Sequence, residues 1–119
     1  MPDLHRLKKS FCYAFHGLKY VLSTQQNMQV HVICTLVVLW AAWYFAVSRV
    51  ELVLLCLTST LVLVAEIINT AIETTINHFT GEQHKWSKIA KDVAAAAVLV
   101  TSIVAIIIGV IIFFPIFCR

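Results

Sequence analysis

Between Leu4 and Leu22 the apolar residues Leu4, Leu7, Phe11, Phe15, Leu18 and Leu22 recur three or four positions apart. That spacing marks one face of a helix. Arg6, Lys9, His16 and Lys19 add a basic component, so the pattern predicts a helix over 4–22 lying in a membrane interface. Ser23-Thr24-Gln25-Gln26-Asn27 interrupts the pattern with residues suited to start a new helix. From Val32 to Val47 the chain is almost continuously apolar, and Trp40, Trp43 and Tyr44 near the far end read as an interfacial aromatic belt. These sixteen residues are short for about 30 Å of hydrocarbon. The span therefore borrows Met28 to His31 and runs over about 28–47. After a tight turn at Ser48-Arg49-Val50-Glu51, a second span is predicted over 52–73 and a third over 93–117. The polar segment 77–92 between them reads as a loop. No internal repeat or low-complexity tract interrupts this order.

Composition sharpens the solvent. Of 119 residues 61% are hydrophobic and 13% charged, more apolar surface than a soluble domain of this length can hide. The expected class is an all-α membrane protein. The chain leaves no room for a soluble catalytic domain beside the spans, so any active site must be built from the helices and their ends. Seven of the nine basic residues (Arg6, Lys8, Lys9, Lys19, Lys85, Lys88 and Lys91) fall before the first span or between the second and third, against Arg49 and Arg119 on the other side. The positive-inside rule then places the N-terminus and the 77–92 loop in the cytoplasm and the C-terminus outside. No basic stripe is interleaved with aromatics, so nucleic acid is not an expected partner. Cys12, Cys34, Cys56 and Cys118 form no CxxC pair and read as small hydrophobes rather than ligands or disulfides. The polar N-terminus shows no cleavable signal peptide.

Chemistry enters in the second span. Glu66, Asn69 and Glu73 are spaced i, i+3, i+7, with Thr70 and Asn77 close to the same face. Acids at such depth are costly and usually face a bundle interior or a polar cavity. A helix-packing hydrogen-bond cluster accounts for Asn69 and Thr70 but poorly for two carboxylates on one stripe. Seven residues separate those carboxylates by about 10 Å along the axis. That is too far to share one metal ion, but suits one acid near a phosphate-bound ion and another deeper. Lys91-Asp92, at the start of the third span, offers a lysine that can neutralise phosphate. Asp92 reads equally well as a helix cap or as part of a site.

The run Ala65-Glu66-Ile67-Ile68-Asn69-Thr70-Ala71-Ile72-Glu73, followed by Lys88-Ile89-Ala90-Lys91-Asp92-Val93-Ala94-Ala95, closely resembles the signature of the prokaryotic diacylglycerol kinase family, which includes undecaprenol kinases. The resemblance covers essentially the whole chain. It implies three spans preceded by an amphipathic helix, a homotrimer with sites shared between subunits, and residence in the bacterial cytoplasmic membrane. The implied reaction is ATP- and magnesium-dependent transfer of the γ-phosphate to the hydroxyl of diacylglycerol, giving phosphatidic acid, or to undecaprenol. By the same resemblance Glu66 is the general base on the lipid hydroxyl, Glu73 a magnesium ligand, and Asn69 positions groups between them. Lys91 and Asp92 belong to the nucleotide site, Glu82 and His84 lie near the nucleoside, and Arg6 and Tyr13 close the site near phosphate and lipid.

The chain departs from the family pattern at three charges. Gln25 stands where a glutamate acts as a second magnesium ligand, and its uncharged amide oxygen should bind the ion less strongly. Gln29 stands where an arginine is common, and Asn77 where an aspartate is. These losses keep open a non-enzymatic membrane homologue as an alternative to the kinase; a transporter using the buried Glu66 as an ion relay is a third reading. His31, in Asn27-Met28-Gln29-Val30-His31, resembles the N-x-x-x-H pattern of the undecaprenol-kinase branch, though a histidine at a span's start commonly serves as an interfacial hydrogen-bonder.

Overall fold

A computed structural model describes residues 1–80 and 84–118. They form four helices: α1 (Leu4–Thr24), α2 (Gln26–Tyr44), α3 (Arg49–Phe79) and α4 (Lys85–Phe117). The last three are each long and apolar enough to cross a membrane. The all-α membrane architecture thus follows the hydropathy pattern.

Local chemistry sets each boundary. The Asp3 carboxylate caps α1 by accepting the His5 and Arg6 N–H groups at 3.1 and 3.3 Å. Gln25 breaks the helix with extended backbone (φ −102°, ψ 110°), its N–H donating to Val21 O while its carbonyl accepts the Gln29 N–H. One residue therefore ends α1 and begins α2. The Gln29 amide reaches back to Leu22 O at 3.0 Å and ties the two helices together. At α3, Ser48 and Glu51 form a capping box, each side chain accepting the other's backbone N–H.

The end of α2 is less expected. Ala46 adopts the left-handed region (φ 52°). Ala46 N–H donates to Trp43 O at 3.2 Å and Val47 N–H to Ala42 O at 3.1 Å, a Schellman closure with alanine where glycine is usual. The accompanying apolar contact is present too, because Val47 packs on the cluster of Ala42, Leu55 and Ile112. Phe45 meets Phe113 and Phe117 edge-on, so the turn after α2 packs against α4 at this end.

The central helix is α3, which packs most extensively on α4, then on α2, and lightly on α1. Its inward stripe is Leu55, Thr58, Val62, Glu66 and Thr70, spaced three or four apart. The hydroxyls on this stripe satisfy themselves on their own helix: Thr58 donates to Leu54 O at 2.9 Å and Thr70 to Glu66 O at 2.9 Å. On α1, only Val21 is buried, and the apolar residues from Leu4 to Leu18 are exposed, as an interfacial face requires.

Two boundaries differ from the hydropathy reading. The first span ends as helix at Tyr44, and residues 45–48 are a non-helical connection. More consequentially, most of the segment read as a loop over 77–92 is helical: α3 continues to Phe79 and α4 begins at Lys85. Hydropathy reports where a chain leaves lipid, and a polar helix end looks like a loop to it. No proline interrupts 77–92, and Ile76, Phe79, Trp86 and Ile89 keep an apolar component through it. At 1.5 Å per residue α3 and α4 are about 46 and 50 Å long, so both extend well beyond about 30 Å of hydrocarbon.

Candidate functional site

Glu66 is 2% exposed, the most deeply buried ionisable group described. Its Oε2 atom has no hydrogen-bond partner, and the one ion pair among the described residues is Lys88–Asp92. A carboxyl held this way is costly to the fold, because no neighbouring charge or donor offsets its desolvation. Thr70, one turn nearer the end of α3, is also buried, and Asn69 beside it is half-buried. The polar stripe thus runs along α3 from a buried acid to an exposed one.

The exposed one is Glu73. Its side chain lines an open cavity of about 380 Å³ together with Tyr20 from α1, Gln25 from the α1–α2 junction, and Thr70, Thr74, Asn77 and His78 from α3. The junction places Gln25 there because the chain turns at that residue, which carries the side chain over the α3 end. The Gln25 Nε2 donates to Thr24 Oγ1 at 3.3 Å, which leaves its Oε1 as the free acceptor. Among the described residues no three His, Cys, Asp or Glu side chains converge to hold a metal ion by themselves. The donor set at this cavity is instead one carboxylate with amide and hydroxyl oxygens. Such a set fits magnesium that arrives on phosphates and keeps several waters, since that ion is commonly held by one or two carboxylates plus the substrate.

Other residues named from the sequence lie apart from this cavity. Arg6 and Tyr13 are exposed on α1 and do not line it, and neither do Lys91 and Asp92 on α4. Lys91 is half-buried. Asp92 is exposed and accepts Lys88 Nζ at 2.6 Å within one helix face. The helix-cap reading of Asp92 is corrected: α4 begins seven residues earlier, and the cap is His84, whose Nδ1 accepts the Trp86 N–H at 3.2 Å. Glu82 lies outside the described residues. Tyr20, Thr74 and His78 were not anticipated as cavity residues. The α3 residues were findable, because Thr70, Glu73, Thr74, Asn77 and His78 continue one helical stripe once the helix is allowed past residue 77.

The sequence profile of the prokaryotic diacylglycerol kinase family matches residues 12–113. The chain is 40% identical over 101 residues to the diacylglycerol kinase of Synechocystis sp., an alignment covering 84% of this chain and 58% of that protein. It is 35% identical over 113 residues to the undecaprenol kinase of Bacillus subtilis, covering 95% of this chain and 92% of the relative. The diacylglycerol kinase of Escherichia coli K12 is 32% identical over 102 residues, covering 86% and 84% respectively. The match contains every residue of the Glu66 stripe and of the Glu73 cavity, and the chain belongs to the prokaryotic diacylglycerol kinase family of membrane lipid kinases.

Proposed function

We propose that this chain transfers the γ-phosphate of ATP to the hydroxyl of a membrane lipid alcohol, diacylglycerol or undecaprenol, at the cytoplasmic face of the bacterial inner membrane. The observation that carries this reading is the pairing of a buried, unpartnered Glu66 with the open Glu73–Gln25 cavity further along the same helix. A lipid hydroxyl reaches its phosphate donor at a boundary between apolar and aqueous surroundings, and α3 spans that boundary.

In this mechanism the Glu66 carboxylate accepts the hydroxyl proton as the lipid oxygen bonds to the γ-phosphorus. The bond from that phosphorus to the β–γ bridging oxygen breaks, and ADP leaves. Asn69 sits one turn from Glu66 and positions groups between the two acids. Glu73 and the Gln25 amide oxygen are the residues that would hold magnesium; when bound, that ion neutralises charge on the transferring phosphate. Lys91 neutralises phosphate as a point charge, with Asp92 in the same nucleotide site, His84 toward the nucleoside and Arg6 and Tyr13 closing the site from α1. Lys91 lies outside the Glu73 cavity, which supports, together with the family resemblance, a site completed between the subunits of a homotrimer.

The undecaprenol reading has its own support, since the Bacillus subtilis relative aligns over 92% of its length. The deciding experiment is a kinase assay on the purified chain with ATP, magnesium and each lipid in turn. A phosphorylated lipid is expected, with turnover abolished in Glu66→Gln and strongly reduced in Glu73→Gln. Normal turnover in both variants would refute the mechanism, and no turnover with any lipid would return the chain to a non-enzymatic role.

A further inference from the structure

One buried and two half-buried polar side chains on three helices share one depth. The cluster of Ala42, Leu55 and Ile112 fixes the register of α2, α3 and α4 near one end of the bundle. Counting along each helix toward the Gln25 end, His31 is 11 residues from Ala42, Glu66 is 11 from Leu55, and Ser102 is 10 from Ile112. At 1.5 Å per residue all three fall about 15–17 Å from the cluster. Eleven residues also make about three whole turns, so His31 shares the face of α2 that Ala42 presents to α3, and Glu66 shares the face of α3 that carries Leu55.

His31 and Ser102 line one cavity of about 270 Å³ between α2, α3 and α4, whose α3 wall reaches Val62, one turn below Glu66. Both Glu66 Oε2 and Ser102 Oγ are buried without a hydrogen-bond partner. The hydroxyls of Thr35 and Thr58, which line the same cavity, are already engaged by the carbonyls of His31 and of Leu54 and Leu55. Of the three buried side-chain polar atoms without a partner among the described residues, Ser87 Oγ lies near the start of α4, while the other two share one level with a half-buried imidazole.

We propose that His31 and Ser102 hold a buried water against Glu66, and that His31 is a positioning residue for that carboxylate. Three polar partners are what a buried water needs, and the cavity exceeds the roughly 30 Å³ share of one molecule. The water orients the Glu66 oxygen that faces the lipid hydroxyl and offers it a donor in an otherwise dry setting. This rests on Glu66 acting as the base.

The test compares H31L, H31Q, S102A and E66Q in the intact protein by lipid kinase assay and infrared spectroscopy. In H31L, kcat should fall about 10–100-fold, as for loss of a hydrogen bond to a charged group, with KM for ATP unchanged. H31Q, which restores a donor and an acceptor, should recover part of that loss, and S102A should show a smaller one. The Glu66 carboxyl band, identified by its disappearance in E66Q, should shift in H31L and S102A. An inactive E66Q beside an H31L of wild-type kcat overturns the proposal and leaves the base reading standing. Full turnover in E66Q overturns the base reading instead, and a carboxyl band unmoved in both H31L and S102A removes the water link in either case.

Discussion

Ala46→Gly should stabilise this protein without touching its chemistry. Ala46 is in the left-handed region at φ 52°, where a Cβ meets the neighbouring carbonyl. That conformation costs an L-residue roughly 1–2 kcal/mol, and glycine does not bear the cost. Against this, glycine has more freedom to lose on folding, which takes back roughly 0.5–1 kcal/mol. The Ala46 side chain is exposed, so deleting its methyl removes little packing. Both Schellman hydrogen bonds run through backbone atoms and survive the change. The expected gain is about 0.5–1 kcal/mol. Equilibrium unfolding in detergent, with the folded fraction followed by Trp fluorescence, measures it. Turnover should be unaffected, because Ala46 lies beyond the opposite end of α2 from Gln25. Ala46→Val should move the midpoint the other way, since a branched Cβ fits φ > 0 still less well. An A46G protein no more stable than the parent would show that the turn relaxes the strain by other means, and would refute the reasoning.

Glu66→Gln should abolish turnover while leaving stability equal or higher, because an amide is cheaper to bury than an unpartnered carboxyl; a thermal shift beside the kinase assay reads both effects. Gln25→Glu should place a second carboxylate at the Glu73 cavity and lower the magnesium concentration for half-maximal rate several-fold, roughly tenfold at most, in a magnesium titration at fixed ATP. Asp92→Asn breaks an ion pair whose side chains are 76% and 63% exposed, so its effect on the unfolding midpoint should stay below about 0.5 kcal/mol. If Asp92 serves the nucleotide, the same variant raises KM for ATP, and an unchanged KM removes it from the site.

Hydropathy made the three spans legible because lipid demands long apolar helices, and it located α1 through its three-and-four spacing. Glu66 was legible for the same reason inverted: an acid so deep in an apolar run needs a reason to be there. The Gln25–Glu73 juxtaposition was carried by resemblance alone, since nothing in the spacing says how the chain turns between α1 and α2. The helical character of residues 85–92 was hidden because Lys85, Lys88, Lys91 and Asp92 look like loop to a hydropathy measure but lie on the water-facing end of a helix that Trp86 and Ile89 continue. That error carried Asp92 with it, for a residue cannot cap a helix it sits inside. The left-handed turn at Ala46 had no local signal, as alanine is not the residue such a turn asks for; tertiary packing of Val47 on the Ala42 cluster outweighs the local preference.

The shortness of α2 has a mechanical consequence. At 19 residues it spans about 28 Å, well under either of its neighbours, so it alone gauges the thickness of the host bilayer. The long helices have length to spare and can change tilt as thickness changes, but α2 is pinned by Trp40, Trp43 and Tyr44 at one end and by Gln25 at the other. A bilayer that outgrows it must thin locally or pull on the junction, and the residue at that junction is the one that faces Glu73. Lipid acyl length should therefore tune turnover through the geometry of a site that touches water, with a maximum where hydrocarbon thickness matches α2, measurable in vesicles of graded chain length.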